Sequence, residues 1–136
     1  MKLSEIKEIK NLVDDEWKEA VMSISLKKDD FEVNDYRFIR QDKIDKIQQE
    51  ELGDDSYILG CFNAWFLADI LDLPTQDIED LQKKDCFDAI GYMVLKSGKI
   101  EELQEQYVSA DGYGHHFAHY DHNEHELGKY YAFRVN

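Results

Sequence analysis

The sequence of 136 residues is poor in proline, cysteine and basic residues. It has one Pro, two Cys, and 16 Lys and Arg against 30 Asp and Glu, so its formal net charge is −14. Cys61 and Cys86 form no CxxC pair and no disulfide framework, so we expect two buried, reduced thiols. The negative charge argues against direct binding of nucleic acid or phosphate-rich ligands, and favours basic protein surfaces as partners.

Membrane-spanning and catalytic signatures are also missing. No apolar run without polar interruptions approaches the roughly 18 residues of a membrane span, and MKLSEIKEIK lacks a signal-peptide core. We therefore expect a cytoplasmic protein with no membrane partner. There is no GxSxG, no phosphate loop and no dinucleotide fingerprint, so the sequence predicts neither an enzyme nor a cofactor. A Cys/His nucleophile would need Cys61 or Cys86 to approach a histidine, but the apolar run around Cys61 favours inert packing.

The apolar residues that are present suffice for one core. They make up 43% of the chain, and the length is that of a single domain, which we place at residues 1–136. Trp17, Trp65 and most other aromatic residues occupy the apolar stripes of predicted helices. We expect them to be core residues rather than a ligand platform.

Most of the chain has helical patterns. Apolar residues at helical spacing predict a first helix over residues 3–21, and Asp42 is placed to cap another that ends at Gly53. SYILGCFNAWFLADILDL is apolar nearly all round, which predicts a central buried helix that Pro74 ends. Three more helices follow: one capped by Thr75, one over DCFDAIGYMVLKSG with Gly98 as its αL cap, and one over KIEELQEQYVSA.

Two short segments favour strands. DYRFIR is aromatic and β-favouring, which predicts an edge strand, and KYYAFRV alternates well enough for a terminal strand. The fold class predicted from these patterns is mainly α (α+β). It is a compact helical domain with a central buried helix and a few short edge strands.

All five histidines lie in one segment, DGYGHHFAHYDHNEHE, at residues 111–126. His115, His119 and His122 are four and three positions apart, so a helix would place them on one face as ligands for a metal such as Zn²⁺. The HExxH order of zinc proteases and the calcium-loop pattern are both absent. Metal binding by the segment is therefore one hypothesis among three.

The second hypothesis for the histidine segment is electrostatic. Residues 100–128 hold seven carboxylates and no Lys or Arg, so nearby negative charge should favour protonated histidine as the pH falls. The third is structural. Asp111 and Asp121 would bind turn backbone, Gly112 and Gly114 would take positive φ, and Phe117 and Tyr120 would enter the core. Turn chemistry explains most of these residue types, so the structural interpretation is favoured.

Two acidic clusters stand out on predicted helices. Their spacing can approximate the phosphates of duplex DNA, which carries about one negative charge per 1.7 Å of axis. A protein with such a surface could occupy the basic channel of a nuclease, although charge for solubility alone is the simpler interpretation. The predicted partner-binding residues of the two clusters are Asp69, Asp72, Asp77, Glu79 and Asp80, and Glu101, Glu102 and Glu105.

Residues 83–114, KKDCFDAIGYMVLKSGKIEELQEQYVSADGYG, resemble the C-terminal part of ArdA-type antirestriction proteins. The resemblance rests on an Asp pair, Tyr and Leu positions and a final Tyr-Gly step: Asp85, Asp88, Tyr92, Gly98, Leu103, Tyr107, Tyr113 and Gly114. His115 stands where that family tends to carry an arginine. The resemblance implies an acidic, dimeric protein that imitates bent duplex DNA and blocks type I restriction enzymes.

Together these observations predict a non-enzymatic acidic binding protein. Its partner would be the basic surface of a nucleic-acid-binding protein, and its most concrete role would be a DNA-mimic inhibitor of a defence enzyme, of antirestriction or anti-CRISPR type, encoded on a mobile element. A homodimer is expected from the resemblance. The alternatives are a metal-binding protein that uses the segment from His115 to His125, and a structural or adaptor domain whose acidity serves only solubility.

Overall fold

The computed structural model describes residues 26–33 and 35–136. Within them the chain forms two compact units. The sheet unit consists of residues 26–33, 35–45 and 111–136, and the helical unit of residues 46–110. The helix predicted over residues 3–21, including Trp17, lies outside the described residues.

The described residues form four strands and seven helices. Strands are β1 (Asp30–Val33), β2 (Tyr36–Arg40), β3 (His125–Leu127) and β4 (Tyr130–Arg134). Helices are α1 (Ile44–Gly53), α2 (Ser56–Gly60), α3 (Ala64–Leu71), α4 (Thr75–Lys83), α5 (Phe87–Lys96), α6 (Ile100–Asp111) and α7 (Gly114–Phe117). The mainly α class with a small amount of β-structure is confirmed.

The sheet unit is built on one antiparallel sheet with strand order β1-β2-β4-β3. The strands predicted over DYRFIR and KYYAFRV are β2 and β4, and Phe38 of the first pairs with Ala132 of the second. The prediction of an edge position for DYRFIR was wrong, because β2 lies between β1 and β4. Its residues pack on both faces of the sheet: Phe38 and the adjacent Ile39 are both fully buried.

The apolar run of residues 56–73 is not one central helix. It forms two helices, α2 and α3, which are separated by three non-helical residues. Cys61 N–H donates to the carbonyl of Ile58 and so ends α2, while Asn63 Oδ1 accepts a hydrogen bond from Trp65 N–H at 3.1 Å and caps α3. The prediction of a continuous buried helix was wrong because an Asn cap inside an apolar run starts a new helix.

Helices α2 and α5 of the helical unit approach each other through two glycines. A methyl group added at Gly91 would lie 2.7 Å from Ser56 Cα, and one added at Gly60 would lie 2.8 Å from Phe87 Cα. Both distances are far below the ordinary separation of carbon atoms, roughly 3.5–4.0 Å. Backbone therefore packs directly on backbone, and only glycine permits this at the two positions.

The helical unit has its own apolar core, to which α2, α3, α4, α5 and α6 all contribute. Its fully buried members are Leu59, Leu67, Ile70, Ile78, Ile90, Val94 and Leu103. The predicted αL cap after α5 is confirmed, since Gly98 has φ +72°. Among the described residues, no helix combines the length and the apolar character that crossing a membrane requires.

Candidate functional site

The eight predicted partner-binding carboxylates all lie in the helical unit, and all are exposed. Asp69 belongs to α3 and Asp72 caps its C-terminus, three more belong to α4, and the last three belong to the first half of α6. Their helices are amphipathic, so burial of the apolar stripe leaves the charged positions in solvent.

The charge of the helical unit is strongly one-sided. Residues 46–110 contain fourteen carboxylates, five lysines and no arginine. None of the eight predicted carboxylates forms an ion pair with any residue in the described ranges. Two accept hydrogen bonds from neutral amides: Asp80 from Gln76 at 2.8 Å and Glu102 from Gln106 at 3.4 Å. These eight carboxylates can therefore meet a basic surface without first breaking an ion pair to a described residue.

The turn between α3 and α4 determines where Asp72 lies. Asp72 adopts the left-handed conformation, with φ 55° and ψ 48°, and Leu73 N–H donates to the carbonyl of Ala68 at 3.0 Å. Such a 6→1 hydrogen bond closes a helix in the Schellman manner, and Asp tolerates the positive φ better than most residues. Pro74, with φ −61°, is the N-cap residue of α4, so the prediction that Thr75 caps this helix was wrong: Thr75 is its first residue.

An open pocket of about 510 Å³ lies beside this turn. Residues 65, 69 and 72 are spaced by four and three on α3 and its cap, which puts Trp65, Asp69 and Asp72 on one helix face. Trp65 is 63% exposed and Leu73 is 39% exposed, so the pocket presents apolar surface next to two carboxylates. The lining residues are Trp65, Ala68, Asp69, Asp72, Leu73 and Thr75.

The prediction that Trp65 is a core residue was therefore wrong. It shares a helix face with two aspartates, and the buried face of α3 is formed instead by Leu67, Ala68 and Ile70. This signal was present in the sequence: an aromatic residue four and seven positions before carboxylates falls on the solvent side of a helix.

The histidine segment lies in the sheet unit and is not a single helix. Helix α7 ends at Phe117, and His122 takes a positive φ of 53°. The rings of His115 and His122 lie 4.9 Å apart, while His119 Nδ1 is 2.9 Å from the carbonyl oxygen of Val135. His125 is on β3, with its ring 6.3 Å from that of Tyr36.

The predicted metal ligands do not form a site in this arrangement. Within residues 26–33 and 35–136, no three His, Cys, Asp or Glu side chains come together in a way that could hold a metal ion. The set of His115, His119 and His122 depended on helical spacing, and the bends after Phe117 remove that premise. The metal hypothesis is therefore not supported by the described geometry.

Turn chemistry accounts for part of the segment. Asn123 N–H donates to Asp121 Oδ1 at 3.0 Å, and Gly112 has φ +78°, both as predicted. The positive φ predicted for Gly114 was wrong, because this residue starts α7. A side chain there would instead collide with the carbonyl group of His122. Phe117 is buried as predicted, but Tyr120 is 69% exposed.

Arginines from the strands supply the positive charge that the histidine segment lacks. The guanidinium of Arg37 lies 5.2 Å from the ring centre of Phe117, and that of Arg134 lies 5.6 Å from Tyr120. Both distances are within the range of cation–π attraction. The histidine segment contains no Lys or Arg of its own, and the fold brings Arg37 and Arg134 to its aromatic residues from β2 and β4.

A Tyr–Asp contact lies at the start of the histidine segment. Tyr113 donates a hydrogen bond to Asp45 Oδ1 at 2.6 Å, and its ring lies 5.4 Å from that of Tyr131. Burial, and then this hydrogen bond, raise the pKa of Tyr113 above its usual value, so its hydroxyl remains a hydrogen-bond donor further into the alkaline range. The pKa of Glu124 is also raised, first by burial and then by the charge of Glu126.

The two cysteines are both free, and they differ in exposure. Cys86 is half-buried, whereas Cys61 is exposed at the break between α2 and α3. The prediction of a buried thiol at Cys61 was wrong because the apolar run around it is interrupted at that residue.

Comparisons with protein-family models, with curated proteins and with solved structures find no match to this chain.

Proposed function

We propose that this protein is a non-enzymatic inhibitor that binds the basic DNA-binding surface of a defence enzyme through the carboxylates of its helical unit. The target class is a restriction or CRISPR nuclease, whose channel must be basic to hold duplex DNA or a heteroduplex. The protein itself would bind no nucleic acid, because two strongly negative surfaces repel each other.

One observation carries the proposal. Eight exposed carboxylates lie on α3, α4 and α6 of one unit, and none has an ion-pair partner among the described residues. An array of this kind is attracted to a basic groove over a distance of about one Debye length, near 8 Å at physiological salt. It would also compete with the phosphates that normally occupy the groove.

The resemblance of residues 83–114 to ArdA-type antirestriction proteins supports the choice of target. Those residues include Lys83 at the end of α4, all of α5 and all of α6. They therefore contain Glu101, Glu102 and Glu105, the second acidic cluster. A type I restriction enzyme is the first target to test, and encoding on a mobile element is the expected context.

Salt dependence tests the proposal directly. Affinity for a purified type I restriction enzyme, and for a CRISPR effector complex in parallel, is measured calorimetrically between 50 and 200 mM NaCl. We expect at least about a tenfold loss, a modest value beside the 10³–10⁵ lost by proteins that contact 6–10 phosphates. Duplex DNA should compete with the protein. An affinity that does not change with salt, or binding of neither enzyme, contradicts the proposal.

A matched pair of variants separates local charge from net charge. Both triple variants remove three exposed carboxylates and have the same formal net charge. The test variant, in the helical unit, is Glu101→Gln, Glu102→Gln and Glu105→Gln. The control, in the sheet unit, is Glu32→Gln, Asp111→Asn and Glu126→Gln. Only the first should weaken inhibition strongly; equal effects would mean that overall charge, and not this surface, is responsible.

A further inference from the structure

We propose that the pocket beside α3 binds one arginine side chain of a protein partner, with the guanidinium on the ring of Trp65 and paired with Asp69 and Asp72. The inference rests on the proposed function only in taking the arginine from a basic protein surface. The pocket itself is defined by residues of the helical unit alone.

The first reason is the exposed tryptophan. A ring that is 63% exposed gives up favourable burial, and within the described part of the chain its only ring neighbour is the adjacent Phe66, which lies edge-to-face at 6.3 Å and 90° and leaves room for a ligand. The indole face that remains open is the best aromatic partner for a cation, and arginine is the cation most often found there.

The second reason is the position of the charges. Asp69 and Asp72 line the same pocket as Trp65, and neither side chain has a hydrogen bond or an ion pair with a described residue. A guanidinium has five donors in a planar fork, so it can lie flat on an indole and still donate to carboxylates at its edge. A lysine ammonium has no planar fork of donors, so it cannot lie on the indole ring and pair with both carboxylates equally well.

The third reason is the apolar part of the lining. Ala68 and the half-exposed Leu73 also line the pocket, and their apolar surface suits the methylene stem of an arginine. A purely apolar side chain fits less well, because it would desolvate two carboxylates without pairing them. An anion or a phosphate is excluded by the charge of the same two residues.

The test uses the whole protein and short peptides, so it needs no identified partner. The probes are N-acetyl-Ala-Xaa-Ala-amide peptides in which Xaa is arginine, lysine or citrulline, which is isosteric with arginine but uncharged. Titrations at 150 mM salt follow the methyl resonances of Leu73 by NMR. We expect the arginine peptide to bind at least about five times more tightly than the lysine peptide, since only arginine uses both the ring and the carboxylates. The citrulline peptide should not saturate.

Variants assign the binding to this pocket. Trp65→Leu should weaken arginine binding by about tenfold, because it removes the cation–π contact with the indole ring. Asp69→Asn and Asp72→Asn should weaken it by roughly three- to tenfold each, because each removes one partly exposed ion pair with the guanidinium. Glu101→Gln, which removes one charge elsewhere on the same unit, should change the affinity less than about twofold. Thermal unfolding checks that the three exposed positions tolerate the changes.

Two outcomes overturn the inference. One is equal affinity for the arginine, lysine and citrulline peptides, or no binding of any. The other is arginine binding that survives Trp65→Leu and Asp69→Asn. Either result refutes the pocket without affecting the salt-dependence test of the proposed function, because that test depends on the whole acidic surface. Conversely, saturable arginine binding would stand even if neither defence enzyme is a target.

Discussion

The contact between α2 and α5 predicts that Gly91→Ala destabilises the protein. The added methyl carbon would sit 2.7 Å from Ser56 Cα and closer still to the carbonyl oxygen of that residue. Ordinary carbon contacts need roughly 3.5–4.0 Å, so the two helices must separate by about 1 Å. Because Ser56 contributes backbone atoms here, no side-chain rotation can relieve the overlap.

The size of the effect follows from two opposing terms. Alanine is better than glycine in a helix interior by about 1 kcal/mol, which favours the variant. Forced overpacking commonly costs about 1–3 kcal/mol and occasionally more, and here it also loosens the buried neighbours Ile90 and Val94. Because both partners are rigid backbone, we expect the steric cost to be larger, giving a net loss of about 1–3 kcal/mol.

Urea denaturation followed by far-UV circular dichroism measures this loss. Gly53→Ala is the matched control, because a methyl group there meets only Leu95 Cδ2, at an ordinary 3.7 Å. The control should be neutral or slightly stabilising, whereas Gly91→Ala should have a clearly lower midpoint with a similar slope. If both variants are equally stable, the direct backbone contact between α2 and α5 is wrong.

Three further predictions concern a helix cap, a carboxyl group and metal content. Asn63→Ala removes the cap of α3 and should cost about 1 kcal/mol in the same urea assay, while Asn63→Asp should retain most of the stability. The pKa of Glu124 is higher in the folded protein than in the unfolded chain, so the protonated side chain stabilises the fold. This stabilisation is complete below the unfolded pKa and is lost as the pH rises through the folded pKa. Glu124→Gln should thus be slightly more stable than wild type at pH 7, with no advantage below about pH 4 in thermal scans; the same difference at both pH values would contradict this. The described residues hold no group of three His, Cys, Asp or Glu that could bind a metal ion, so elemental analysis of untagged protein should find no zinc, nickel, copper or iron that depends on the histidine segment; a stoichiometric metal that is lost in the variant His115→Ala, His119→Ala, His122→Ala would refute the geometry described for these three residues.

Local patterns predicted the elements whose signal is local. The strands β2 and β4, the helices α4 to α6 and the αL cap at Gly98 follow from periodicity, propensity and cap residues, and all are present. β1 was missed because acidic residues surround it. It forms through pairing with β2, where Phe31 stacks on Phe38 with ring centres 5.0 Å apart. Pairing of this kind depends on the partner strand and not on the segment alone.

The candidate site was only partly predictable for a similar reason. The charge of the eight carboxylates was enough to predict that they are exposed to solvent. It was not enough to predict the pocket that Asp69 and Asp72 share with Trp65. That pocket also needs Leu73 and Thr75, which the turn after α3 brings to it. The three-histidine set failed because its spacing argument assumed one helix, whereas α7 ends at Phe117 and His122 takes a positive φ. The turn at Asp72 decided the first outcome, and the end of α7 at Phe117, after which Ala118 is extended, decided the second.

The central strand pair of the sheet unit has a consequence for folding during synthesis. In the sequence, β2 precedes residues 46–110 and β4 follows them. The Gln41 side chain donates a hydrogen bond to the carbonyl of Tyr130, 89 positions away along the chain. The helices between them are joined by short connections, so their contacts can form early, whereas the β2–β4 ladder must wait for a long loop to close. On the ribosome, β2 therefore keeps one edge open until β4 has emerged, and this edge is where a growing chain is most exposed to pairing with a neighbour.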